Sequence, residues 1–147
     1  MKHSLIIGFF LALFISCSSP EEPPKPSANI DFQITQLPFT ISYDWWDDNW
    51  YADLTLLITE NNNVGATINS VKTDWYLNNS SVASTQSAGK RVPAGGSVYI
   101  SFTTLCPAKY KPQTMTIVVS GKDDNGYSFS KSKSYNLTWN LNSATLY

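Results

Sequence analysis

Apolar and polar residues alternate in short runs along most of this chain. Ile30, Phe32 and Ile34 alternate with Asp31, Gln33 and Thr35. Pro38 breaks the run, and Phe39, Ile41 and Tyr43 restart it. A proline at such a break suits an edge strand that passes from one sheet to another. Ala52, Leu54, Leu56 and Ile58 form a second clear run against Asp53, Thr55 and Thr59. Glu60-Asn61-Asn62-Asn63-Val64-Gly65 then supplies turn residues. Between Ala66 and Leu77 the parity changes: Ile68 faces one way, and Val71, Thr73, Trp75 and Leu77 the other. One bulge reconciles them. Asn78-Asn79-Ser80 turns the chain into a polar strand from Val82 to Gln86. Ala94-Gly95-Gly96 precedes the alternation of Val98, Ile100 and Phe102, and Met115, Ile117 and Val119 repeat it. Asp123-Asp124-Asn125-Gly126 holds the Asn-Gly hairpin signal. The last strand, Tyr127 to Trp139, carries Phe129, Tyr135 and Leu137 in one parity. Lys131 and Lys133 share it, so this strand needs a bulge or an exposed middle. Residues 140–147 extend that strand or fray.

A period of two places successive side chains on opposite faces of a strand. No stretch of ten or more residues has helical spacing. The pattern predicts an all-β domain: a single antiparallel β-sandwich of seven or eight strands, wet on one face of each sheet. The Trp75-Tyr76 pair on the third long run and the Gly121-Lys122-Asp123-Asp124-Asn125-Gly126 hairpin resemble features of immunoglobulin-like and fibronectin type III-like modules. That resemblance covers roughly residues 30–139. It implies an Ig-like sandwich serving as a spacer or binding module, without the inter-sheet disulfide of antibody domains, and it brings no site residues with it.

The amino-terminal stretch has a different grammar. Lys2 and His3 precede an apolar run from Leu5 to Ile15, and small residues flank Cys17. A basic start, an apolar centre and a small residue before the cut form a secretory signal. As a helix these 11 residues would reach about 17 Å, against about 30 Å for a bilayer core. Phe14-Ile15-Ser16-Cys17 resembles the lipobox of a bacterial lipoprotein. The resemblance implies a signal peptide over 1–16, acylation at Cys17 and a membrane anchor in the cell envelope. Ser18 is similar to the outer-membrane sorting position of such proteins, and Glu21-Glu22 to an acidic surface-export signal. Two glutamates that simply solvate a linker, and an ordinary secretory signal cut near Ser16 or Ser18, stay open as alternatives. Residues 17–29 carry four prolines and no large apolar side chain, and read as a disordered tether. The domain then occupies 30–147.

Composition narrows the function classes. The domain has eight Lys and Arg against nine Asp and Glu. With no basic excess to neutralise phosphates, nucleic acid is not an expected partner. The sole histidine is His3, inside the signal, so the mature chain lacks the commonest general base and any imidazole ligand. It also lacks a Ser-His-Asp or Cys-His pair. With Cys17 acylated, Cys106 is left alone, and its place between Leu105 and Pro107 predicts a small buried hydrophobe rather than a reactive thiol. No cofactor is implied, and the chain is expected not to be an enzyme.

Tyr43-Asp44-Trp45-Trp46-Asp47-Asp48-Asn49-Trp50-Tyr51 stands out. Flat aromatic faces beside carboxylates and an amide are what a sugar site needs, so Trp45, Trp46, Trp50 and Tyr51 are candidate ligand-binding residues. Asp44, Asp47 and Asp48 are hard oxygen donors that suit Ca²⁺, although the spacing matches no EF-hand. Paired acids also suit glycoside hydrolysis, but adjacent residues on a loop imply no cleft. The structural alternative is an aromatic link capping one end of the sandwich. Lys90-Arg91 reads as a solvated pair, and the Asn79 and Asn136 triplets as coincidental glycosylation matches. The expected role is a lipid-anchored, non-enzymatic interaction or accessory module with a protein or glycan partner; the alternative is a carbohydrate-binding surface lipoprotein.

Overall fold

The computed structural model describes residues 23–77, 80–107, 111–140 and 143–146. Cys17, the signal segment and the first part of the tether lie outside them, as do Asn78 and Asn79 of one expected turn. Nine strands follow in chain order: β1 (Ile30–Ile34), β2 (Phe39–Asp44), β3 (Asn49–Glu60), β4 (Ala66–Leu77), β5 (Ser80–Val92), β6 (Ser97–Pro107), β7 (Thr114–Asp123), β8 (Ser128–Asn140) and β9 (Ser143–Leu146). All pairings are antiparallel. The eight alternating runs are all strands, and the short β9 adds a ninth. This is the all-β sandwich that the alternation predicts.

The first sheet is centred on β3. One edge of β3 pairs with β6 along its length; β1 and β2 share the other edge, β1 over Leu56–Glu60 and β2 over Asn49–Tyr51. Pro38 therefore does not send the chain to the other sheet. It moves it along the same edge of β3, through a cis Leu37–Pro38 bond. The second sheet runs β5-β4-β7-β8. The strand that changes sheet is β8: Ser128–Asn136 pairs with β7, and Leu137–Asn140 pairs with β9, which leads back to β2. The sandwich is thus closed on the β8 side and open between β5 and β6.

Inward residues of both sheets meet in one core. Phe32, Leu54, Leu56 and Ile58 face Ile68, Trp75, Met115 and Ile117, all essentially without solvent contact. Each large apolar side chain buried in this way contributes about 1.5–3 kcal/mol. The Trp75 indole N–H donates to Thr104 Oγ1 at 3.2 Å, and Thr104 is hydrogen-bonded to Thr73. This polar link joins β4 to β6 across the core and satisfies the three groups it buries. The expected bulge in β4 lies between Ile68 and Ser70. The middle of β8 is exposed, as two lysines in the inward parity require. Lys131 is in solvent, and Lys133 pairs with Asp31 at 2.9 Å while its ammonium donates to the Phe32 carbonyl.

A buried carboxylate organises one end of the sandwich. Glu60 is 1% exposed. Its Oε1 accepts the N–H groups of Asn29 (3.1 Å) and Asn62 (2.7 Å), and its Oε2 those of Val64 (3.1 Å) and Gly95 (2.9 Å). At the same end Asp123 accepts the N–H groups of Ala28, Asn125 and Tyr127. Asn62 and Asn125 donate their amides to the carbonyls of Ser27 and Pro26. Residues 26–29, expected to belong to a disordered tether, are therefore stitched to the domain, and a tether would begin upstream of Pro26.

Candidate functional site

The aromatic segment forms the β2–β3 hairpin at the opposite end of β3. Pairing sets Asp44 against Asn49, Tyr43 against Trp50 and Ser42 against Tyr51. Residues 45–48 form the turn, and Asp48 closes it with a φ of 58°. Asp and Asn reach this left-handed region more readily than most side chains. Asp44 Oδ1 accepts the Trp46 N–H at 2.9 Å, a local carboxylate-to-backbone turn. Asn49 Nδ2 donates to the Asp47 carbonyl at 3.1 Å.

Strand parity divides the five aromatics into two groups. Trp50 points inward and is only 4% exposed. Tyr43 packs on it with ring centroids 4.9 Å apart, and Trp139 meets it edge-on at 4.7 Å. Trp139 in turn donates its indole N–H to the Pro112 carbonyl at 2.7 Å. Trp50, expected in a ligand platform, is instead part of the floor, because the alternation that begins at Asn49 turns it toward the core. Trp45 and Trp46 sit on the turn, outside the ladder, and are 69% and 79% exposed. Their rings stack on each other, centroids 4.2 Å apart and planes inclined by 29°. Tyr51 is half-buried on the outer face of β3. An open trough of about 450 Å³ runs between Ser42, Tyr43, Asp44, Trp45, Trp46 and Tyr51.

The carboxylates are held apart. Asp48 Oδ1 accepts the Tyr43 hydroxyl at 2.7 Å, and Asp47 accepts the Tyr51 hydroxyl. Those hydrogen bonds raise the pKa of both phenols, so each keeps its proton and donates. Asp44, Asp47 and Asp48, the candidate calcium ligands, are thus each engaged with a different partner. Among the described residues no three His, Cys, Asp or Glu side chains converge where a metal ion could be held. Cys106, under the same end on β6, is buried, and burial pushes its thiol up to about 11. At neutral pH it is a protonated core residue rather than a nucleophile.

Two exposed indoles beside an open trough, with the Asp44 carboxylate in its wall, can stack on a flat or ring-shaped ligand and take hydrogen bonds from it. Burial, which decides which aromatics can do this, follows from the parity of β3. Glu60 was legible by the same rule, since it continues the inward series of Ala52, Leu54, Leu56 and Ile58. Reading it with the turn residues that follow hides that signal.

No protein-family model matches the chain, and no curated protein matches it in sequence. Among solved structures it is similar to the crystal structure of a Bordetella pertussis protein described as ApaA, at 16% identity and a TM-score of 0.47, covering 76% of this chain and 95% of that one. A second similar X-ray structure, a structural-genomics target, has 8% identity and a TM-score of 0.46, with 73% and 83% covered. The class defined by the fold is an antiparallel β-sandwich protein.

Proposed function

We propose that this chain is a lipid-anchored cell-envelope protein, acylated at Cys17, whose sandwich is a non-enzymatic binding module with the β2–β3 hairpin as its contact end. The observation that carries this reading is the placement of two exposed, mutually stacked tryptophans far from the point where the chain enters the domain. Residues 26–29 are fastened beside Glu60, and Trp45 and Trp46 lie beyond Asn49. The 12 residues of β3 separate them by about 40 Å, at ~3.3 Å per residue. A tether fixed at one end of the body would hold the aromatic end outward, away from the lipid. Acylation supplies the anchor, since each buried methylene contributes ~0.8 kcal/mol and two or more chains hold a protein stably. Outer-membrane residence is part of the same proposal and rests on Ser18.

The alternative ligand class is carbohydrate, favoured by the pairing of bare indole faces with the Asp44 carboxylate around an open trough. Two experiments test the two parts separately. Metabolic labelling with an alkynyl palmitate should mark the amino-terminal peptide of the mature protein and vanish in Cys17→Ser. An unlabelled terminus removes the anchor. A glycan array should show binding that Trp46→Ala abolishes. Tryptophan fluorescence unchanged across a broad glycan panel removes the carbohydrate reading.

A further inference from the structure

The open side of the sandwich presents two strand edges, and they are built differently. β5 is bulged opposite Ile68 and Ser70, bends at Gly89 with a φ of 55°, and carries Lys90 and Arg91. Bulges and cations are the usual devices that keep a sheet edge from pairing with another chain. On the β1 and β8 side, Lys131 and Lys133 do the same work. β6 has none of these. Its 11 residues, Ser97 to Pro107, hold no Asp, Glu, Lys or Arg, and no proline before the last position. Its register with β3 is unbroken from Ser97 to Pro107. Among the described residues β6 pairs with β3 alone. A groove of about 240 Å³ between β5 and β6 leaves the sheets unsealed there.

We propose that β6 is a self-association edge, pairing antiparallel with β6 of a second copy about a two-fold axis at Phe102. The argument for a second copy, rather than a foreign strand, is the symmetry of the exposed side chains. Tyr99 is 62% exposed and Leu105 is 42% exposed, and they stand at equal distances on either side of Phe102. A two-fold axis there sets Tyr99 opposite Leu105 of the second copy, and Ser101 opposite Thr103. Within each copy Tyr99 already lies beside Leu57, and Leu105 beside Tyr51. Pairing therefore builds an apolar row across four strands: Leu57, Tyr99, then Leu105 and Tyr51 of the second copy. Symmetry repeats the row on the other side of the axis. Aromatic and aliphatic side chains directly opposite each other are favourable cross-strand pairs. An isologous contact of this kind closes at two copies and leaves no further edge of the same type. Asp53, on this face, is tied to the Thr103 hydroxyl, and the two-fold continues its row into Ser101 and Thr55 of the second copy instead of the second Asp53.

The register makes the proposal testable. Ser101 and Thr103 are both exposed on the outer face. In the two-fold pairing each faces the other across the axis, with Cα atoms about 4.5–5.5 Å apart, within disulfide reach. Ser101 and Ser101 of the second copy would be about 8 Å apart from the ~3.3 Å rise and ~4.8 Å strand spacing, beyond that reach. Full-length S101C and T103C chains should give a disulfide-linked dimer when co-expressed, at least tenfold over either alone. A constant Cys17 background would appear in all three samples and cancel. Sedimentation of the detergent-solubilised full chain should give a dimer that Tyr99→Lys weakens at least tenfold, while the melting temperature measured at dilutions where both chains are monomeric stays the same. A wild-type chain that sediments as a monomer at 100 µM (about a hundredfold above a micromolar Kd), or a dimer untouched by Tyr99→Lys, overturns the proposal. So does crosslinking of either variant to a different protein in place of the mixed dimer, which would assign the edge to a foreign strand.

Discussion

Trp46 and Trp50 are four positions apart in the sequence and opposite in what their removal should do. Trp50 is packed between Tyr43 and Trp139, so Trp50→Ala leaves a cavity and should destabilise the domain by about 3–5 kcal/mol. Trp46 gives most of its surface to water, so Trp46→Ala should leave stability within about 0.5 kcal/mol. Denaturant melts of the two variants check this, and a large loss in Trp46→Ala would mean that the hairpin is a structural cap instead of a contact surface. Glu60 is the other residue on which much depends. Burial alone would raise its pKa, but the N–H groups of Gly95, Asn62, Asn29 and Val64 outweigh it and hold the carboxyl below its usual value. A depressed folded pKa means that the stabilisation is complete above the unfolded value and is lost as pH falls through the folded one. Stability should therefore drop as pH falls below about 4.5, the ordinary Glu value, and Glu60→Gln should both flatten that acid limb and cost about 2–4 kcal/mol at pH 7. Thermal melts of the two proteins between pH 3 and 7 decide it; parallel curves would show that Asp31 and Asp124, also held low by Lys133 and Arg91, carry the acid sensitivity.

At the scale of elements, β7 lies in the middle of its sheet between β4 and β8, and one glycine sets how closely they approach. A Cβ on Gly121 would fall 2.1 Å from the Thr67 carbonyl oxygen of β4 and 2.6 Å from the Phe129 ring of β8. The ring can turn aside, but the backbone oxygen belongs to a strand hydrogen-bonded on both sides. The ring of Phe129, opposite Gly121, covers the space that a side chain would fill. Gly121→Ala should thus force β4 and β7 apart and destabilise the domain by about 2–4 kcal/mol, within the range of large single-site effects. A chemical denaturation midpoint unchanged by Gly121→Ala would show that the strands have slack there. The neighbouring hairpin uses both Asp123, whose carboxylate accepts the Asn125 and Tyr127 N–H groups, and the Asn-Gly pair that announces it, since Gly126 has a φ of 91°.

At the scale of the molecule, the two ends and the open side have different characters. One end is polar, buried and cross-linked by Glu60 and Asp123 to the segment that enters the domain. The other is aromatic and exposed. The open side carries the uncharged β6 edge. If the aromatic end is the contact surface, removing both exposed indoles in Trp45→Ala/Trp46→Ala should abolish glycan binding by the full chain, while Tyr99→Lys should leave it unchanged. Loss of binding in Tyr99→Lys as well would mean that the ligand needs two hairpins presented together by the paired sheets.

Alternation alone determined eight of the nine strands, the β4 bulge and most of the core, because a period of two can bury only one face. It left β8 open between a bulge and an exposed middle, and it did not separate β9, which pairs with β8 and β2 instead of extending β8. It also contained, unread, the inward place of Trp50 and Glu60. What only the tertiary structure decided was which strands are neighbours. Pro38 marks a break but not its direction, and the chain stays on β3 because that edge is long enough for both β1 and β2. The switch of β8 between sheets leaves no mark in its parity, since Tyr135 and Leu137 both face inward on either side of it. The free carboxylates of a sequence become tyrosine and backbone acceptors only when the hairpin closes. The pairing of Tyr99 with Leu57 and of Leu105 with Tyr51 likewise exists only once β6 has found its register on β3.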